Sequence, residues 1–216
     1  MVDYSKLNCK RLSLEYIRGI ADTFRKKYCQ NDILPVDMER IIEKKLRLNI
    51  ILVPGIMQST STDAFLRSDL TGIVVDFDQY MAEDVWSSNR LRFSFAHEIG
   101  HYVLHEYIYK LADYHTEEEY YCFFKNFPEK EYAAFEWQAN EFAGSLLVPI
   151  SRLKEEIRKV YDRIREQGLL DLIEEYPAEI LERVSKDVCK PFGVSRKVIE
   201  LRVQVEGLWP PREPFR

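Results

Sequence analysis

The sequence predicts an α+β fold, a helical body carrying a small antiparallel three-stranded sheet. Three observations lead there. Tyr16, Ile17, Ile20, Ala21, Phe24 and Tyr28 recur at helical spacing across residues 13–28. Short runs rich in β-branched residues, "NIILVPG" and "DAFLRSDLTGIVVDFD", follow between about 49 and 78. From residue 90 onward helical patterns return and dominate. No helix-length pattern separates the strand runs, so antiparallel pairing is expected.

Taken in order, the second helix is expected to open at Leu34-Pro35, since proline is tolerated in a first turn. Its apolar stripe is Val36, Met38, Ile41, Ile42 and Leu46. Pro54 and Gly55 end the first strand, and Ser68-Asp69 reads as the turn between the second and third. The stretch 111–130 is polar and aromatic, and its length exceeds that of a simple connection. "EKEYAAFEWQANEFAGSLLVP" is a strong helix that Pro149 should end. Gly168 marks a break, and Pro177 permits a new helix start. The pattern suggests a domain over 1–150, then a C-terminal helical segment over 151–216 with a proline-rich tail, GLWPPREPFR.

Composition narrows the function. The formal net charge is -5 over 216 residues, so no global field favours nucleic acid or an anionic membrane. No apolar run is long enough to span a bilayer. The first twenty residues lack the apolar stretch of a signal peptide. The four cysteines are far apart and form no CxxC pair. A reduced, cytoplasmic protein is the expectation.

Three of the four histidines stand in one short stretch, "RFSFAHEIGHYVLH". On a helix, His97 and His101 lie on one face about 6 Å apart and can send two imidazoles to one point. With Glu98 between them this is the HExxH arrangement, two zinc ligands and a glutamate. Glu98 is rotated by about 100° from His97, placing it to flank the open coordination position and take a proton from water. His105 lies about 12 Å along the axis from His97, too far to share the ion, and reads as a structural or outer-shell residue.

A catalytic zinc needs a third ligand. Leu104 and Tyr107 stand where the metzincin pattern requires Gly and His, so that class is excluded. His115, Glu117, Glu118 and Glu119 are nearby but sit in a run that reads as solvated charge. Glu136 is the stronger candidate. It shares a helix face with Asn140, Ala143 and Gly144, and small residues there, with Gly100 opposite, allow close helix approach. Asn140 could then accept a hydrogen bond from a ligand imidazole. The zinc would lie between two helices. The spacing argument reaches a zinc-dependent hydrolase, in all expectation a peptidase.

At these residues the sequence resembles the ImmA/IrrE family of metallopeptidases, through "RFSFAHEIGHYVLH" and "EWQANEFAGSLLVP", with the likeness running over about residues 12–150. The resemblance implies zinc ligands His97, His101 and Glu136, with Glu98 as catalytic base in a thermolysin-like site. It further implies a regulatory endopeptidase whose substrate is a helix-turn-helix transcriptional repressor, in a family common in mobile elements and toxin-antitoxin pairs. The competing reading is a non-catalytic, antitoxin-like or partner-binding module with a structural zinc, which replacement of Glu98 by Gln would leave indifferent.

Three expectations complete the reading. "FGVSRKVIELRV" resembles the turn and second helix of a DNA-binding helix-turn-helix, with Ser195 as cap and Gly207 past its end. Its basic residues are offset by acidic ones, so direct DNA binding is not expected. "TGIVVDF" is the candidate sheet edge on which a substrate strand adds. The segment 111–130 is the candidate for limiting access to the cleft. The tyrosines between residues 107 and 121, with His115, are candidates for stabilising a tetrahedral oxyanion.

Overall fold

A computed structural model of the chain describes residues 7–29, 32–112, 114 and 116–211, and all of Glu117 but its side chain. His115 and the last five residues of the proline-rich tail lie outside them. The chain divides into two compact units. One comprises residues 1–33 with 37–146, the other 34–36 with 147–216.

The first unit is α+β, as expected. Helix α1 (Leu14–Tyr28) starts where the Ser13 side chain accepts from the Tyr16 amide. It buries Ile17, Ala21 and Phe24. Helix α2 (Met38–Arg40) runs on as a π-turn over Ile41–Leu46. It opens later than Pro35 because Asp37 accepts from the Arg40 amide and fixes the start at Met38.

The sheet contains β1 (Asn49–Val53), β2 (Ala64–Leu66) and β3 (Gly72–Asp76) in the order β1-β3-β2. It is mixed, which corrects the antiparallel expectation: β1 runs parallel to β3, and only β2 is antiparallel to it. A short helix, α3 (Ile56–Thr60), explains the difference. It carries the chain from β1 to the far edge, where β2 lies, and the hairpin after β2 then brings β3 back into the central position. The strand expected as the free edge, residues 71–77, therefore contains the buried middle strand, with β1 and β2 at the two edges.

One side of the sheet packs Ile56, Phe65 and Val74 with Ile51, Val53 and Tyr120. After β3 come α4 (Phe77–Met81), α5 (Val85–Leu104) and α6 (Glu106–Tyr109). Helix α7 (Glu117–Lys125) and helix α8 (Glu129–Leu147) follow. Phe24 meets Phe142 edge-to-face at 5.6 Å, and Arg25 Nη1 donates to the Leu146 carbonyl at 2.9 Å. These contacts fix α1 against α8.

The second unit is helical: α9 (Ile150–Glu166), α10 (Leu170–Glu175), α11 (Pro177–Val188) and α12 (Arg196–Val205). Ser195 caps α12 by accepting from the Val198 amide, and Gly207 follows at φ 61°. Pro177 occupies the first turn of α11. Among the described residues no helix is long and apolar enough to cross a membrane.

Candidate metal centre

Helix α5 begins at Asp84, whose carboxylate accepts from the Ser87 amide at 2.9 Å and from its hydroxyl at 2.6 Å. Its apolar residues Leu91, Phe95 and Ile99 turn into the core. His97, His101 and His105 then fall along one face, and α8 meets that helix at Gly100. A Cβ added to Gly100 would stand 3.0 Å from both Cα and O of Ala139. Only a hydrogen at this position lets the two backbones approach so closely. That approach brings Glu136, one turn before Ala139–Asn140, over the histidines.

The side chains converge tightly. His97 Nε2 and His101 Nε2 are 2.9 Å apart. The Glu136 carboxylate lies 3.3 Å from the first through Oε2 and 3.5 Å from the second through Oε1. Ligands about 2.0–2.1 Å from one tetrahedral ion are separated by about 3.3 Å, so this spacing suits a divalent cation such as zinc. The protonation pattern agrees. Asn140 Oδ1 lies 3.0 Å from His97 Nδ1, and the amide oxygen accepts, so that ring donates from Nδ1 and Nε2 is the nitrogen left to bind an ion. His101 Nδ1 lies 3.0 Å from His105 Nδ1, on the side away from Glu136. The converging atoms form a donor set of nitrogen lone pairs and an anionic carboxylate.

The electrostatics follow from enclosure. Burial, with the neighbouring His97, pushes the His101 imidazole down to about 4, and Phe135 stacks on it at 4.0 Å. His105, fully buried, is pushed down to about 3 by the same desolvation. Burial opposes the charge on Glu136, but the two imidazoles facing it outweigh burial and hold it well below the usual carboxylate range. A neutral His101 opposite an ionised Glu136 is the state a cation requires.

Glu98 is 6% exposed, and burial raises its carboxyl to about 7, against the opposing pull of His97 and the Leu66 amide. Its Oε2 accepts from the Leu66 N–H at 2.8 Å, so the edge strand β2 holds the carboxylate in place. His97, Glu98 and His101 also form a close group, with ligand atoms within 4.8 Å of one another. Both glutamates are thus near the histidines. They differ in geometry: Glu136 presents both oxygens to the two Nε2 atoms, whereas Glu98 spends one oxygen on the backbone.

The site forms the wall of a cleft of about 550 Å³. Thr60, Thr62 and Ala64 line it from the β2 side, and Tyr120, Tyr121 and Phe124 from α7. Within the stretch 111–130, helix α7 (Glu117–Lys125) is capped and stands at the cleft. Thr116 and Glu119 make a reciprocal capping box, while Phe123 and Phe127 are buried. Glu118 and Glu119 are exposed, and neither lines this cleft. Of the candidate tyrosines, Tyr109, Tyr120 and Tyr121 line it. Tyr107 accepts from the Lys10 amide, and Tyr114 donates to the Leu66 carbonyl at 2.7 Å. Tyr132 also lines the cleft and escaped the sequence reading, although it sits one turn before Glu136 on the same face.

The profile of a peptidase family described as the IrrE N-terminal-like domain matches residues 83–204. The chain belongs to this family. The match begins at the foot of α5, covers every residue of the convergent site, and continues to the end of α12. It reaches further toward the C-terminus than the two motif segments do, and it leaves out the sheet. Membership supports a metallopeptidase-type function, and a metal with it. No curated protein matches the chain.

Proposed function

We propose that the protein is a zinc-dependent endopeptidase in which His97, His101 and Glu136 hold the ion and Glu98 is the general base. The observation that carries this reading is the convergence of two Nε2 atoms and one carboxylate at 2.9–3.5 Å beside a buried glutamate, on the wall of a cleft. Zinc bound there would supply Lewis-acid polarisation of the scissile carbonyl and a lowered pKa for water. Glu98 takes the proton from the attacking water as its oxygen adds to the carbonyl carbon. When the C–N bond breaks, Glu98 passes that proton to the departing nitrogen. The Leu66 amide holds the carboxylate during both transfers. Asn140 holds the His97 ring with its lone pair toward the ion.

A protein substrate follows from peptidase chemistry. The resemblance to ImmA/IrrE enzymes supports a helix-turn-helix transcriptional repressor as that substrate and a regulatory role. Net charge of -5, and the offsetting of basic by acidic residues across 178–206, support action on the repressor rather than on DNA.

The test is cleavage of a co-expressed helix-turn-helix repressor by zinc-loaded protein. The Glu98→Gln variant is expected to retain one zinc per chain and to lose cleavage by about 10²–10⁴-fold. Undiminished cleavage by the variant refutes the assignment of the base. A wild-type protein that holds no zinc after reconstitution refutes the metal site.

A further inference from the structure

His105 is the one histidine of the row that the peptidase reading leaves unused. It is fully buried, and its Nδ1 lies 3.0 Å from His101 Nδ1. Its Nε2 lies 3.1 Å from Gln138 Oε1, on α8. The other end of that amide, Gln138 Nε2, donates to the Lys10 carbonyl at 2.7 Å. Lys10 belongs to the segment preceding α1. The segment is tied down by Cys9 N–H donating to Glu131 Oε2 at 2.8 Å and by Lys10 N–H donating to Tyr107 Oη at 2.8 Å.

The direction of every bond in this chain is forced. A backbone carbonyl can only accept, so the Gln138 NH₂ points at Lys10 and its oxygen points at His105. That oxygen can only accept, so His105 donates from Nε2. A neutral ring bonded through Nε2–H has only a lone pair at Nδ1, so His101 must donate from Nδ1. His101 is then left with a lone pair at Nε2, the atom that faces His97 and Glu136.

We infer that Lys10, Gln138 and His105 form a tautomer-fixing relay that presents the Nε2 lone pair of His101 to the metal, with His105 and Gln138 as positioning residues. Metal-bound imidazoles commonly donate their other nitrogen to an acceptor that fixes ring and tautomer. Here that acceptor is a second histidine, itself set by an amide and a backbone carbonyl from the N-terminal segment. The inference rests on His101 being a ligand. The bland alternative, a histidine merely packed against Phe135 at 4.4 Å, makes no demand on tautomer.

Long-range ¹H–¹⁵N correlation spectra of the metal-free, histidine-labelled full chain read the tautomers directly. The expected pattern is Nδ1–H for His101 and Nε2–H for His105. Zinc affinity, measured by competition with a chromophoric chelator, supplies the second arm. Gln138→Leu and His105→Leu should each weaken binding by about 10–100-fold. His105→Gln, which keeps an acceptor toward His101 and a donor toward Gln138, should stay close to wild type. If His105→Leu does not fold, Gln138→Leu decides, because it touches no ligand. An Nε2–H tautomer at His101 overturns the relay, as does wild-type affinity in the Leu variants. Absence of zinc binding in the wild type overturns the metal reading instead, and the tautomer pattern still decides the relay.

Discussion

At the scale of single residues, hydrogen-bond direction explains more of the site than proximity does. Glu98 and Glu136 are both near the histidines, yet the Leu66 amide engages one and the two Nε2 atoms face the other. Asn140 shows the same logic, since an amide oxygen beside His97 Nδ1 leaves only one tautomer for that ring. Asn140→Ala removes the acceptor, and zinc affinity should fall by about 10-fold or more, with the fold retained. Unchanged affinity in competition titrations would show that Asn140 only packs. Asp76 carries a second prediction. One oxygen accepts from the Gln79 amide at 3.0 Å and the other from the Met57 amide at 3.1 Å, so it caps two short helices at once. Burial opposes its charge, but these amides outweigh it and lower its pKa. A depressed carboxyl gives stability that is full above the ordinary carboxylate range, near pH 4, and is lost as pH falls through the folded value. Asp76→Asn should cost about 1 kcal/mol at pH 7 and flatten the acid limb of the stability curve. Urea titrations from pH 2 to 7 measure both. The sequence shows His97, Glu98, His101, Glu136 and Asn140 because motif spacing and helix faces are local properties. It does not show Gln138 or Lys10, because their roles arise from contacts across more than a hundred residues of chain.

At the scale of elements, the decisive contact is α5 against α8. Gly100 is where the small-residue faces meet, and two opposing magnitudes settle what Ala does there. Helix propensity favours Ala over Gly by about 1 kcal/mol. A Cβ at 3.0 Å from Ala139 backbone atoms must push the helices apart, at about 1–3 kcal/mol. Gly100→Ala should therefore destabilise and also weaken zinc binding, since Glu136 moves with α8. Gly19, exposed on α1 with nothing within 4 Å of an added Cβ, is the control. Gly19→Ala should stabilise by about 0.5–1 kcal/mol. Thermal melts in which both variants shift alike would remove the steric argument. The sheet shows the limit of pattern reading. Strand existence and burial are legible from β-branched runs, but strand order is not, because α3 is too short to register as a crossover. With β2 at the edge, a substrate strand should add along Ala64 rather than along 71–77. A peptidic inhibitor complex whose main chain avoids residues 62–66 would contradict this.

At the scale of the whole molecule, the chain forms two compact units, and from residue 147 onward the second is built of amphipathic helices. The family match runs from 83 to 204 and so takes in residues of both units. The candidate metal site joins α5 to α8 inside the first unit, so a zinc ion bound there would stabilise the fold. Ligand that binds only the folded state adds RT ln(1 + [L]/Kd), or about 2.7 kcal/mol at a free concentration of one hundred times Kd. For a chain of this size each kcal/mol moves the melting temperature by about 2–4 °C, so saturation should raise it by about 5–10 °C over the chelated form. Glu136→Ala should abolish the shift, because two histidines alone leave the ion weakly held. Glu98→Gln should preserve the shift, because in the proposed mechanism Glu98 acts on water and not on the ion. Calorimetry of the three proteins with and without chelator separates the roles. A shift that survives in Glu136→Ala but disappears in Glu98→Gln would transfer the third ligand from Glu136 to Glu98 and leave the protein without its base.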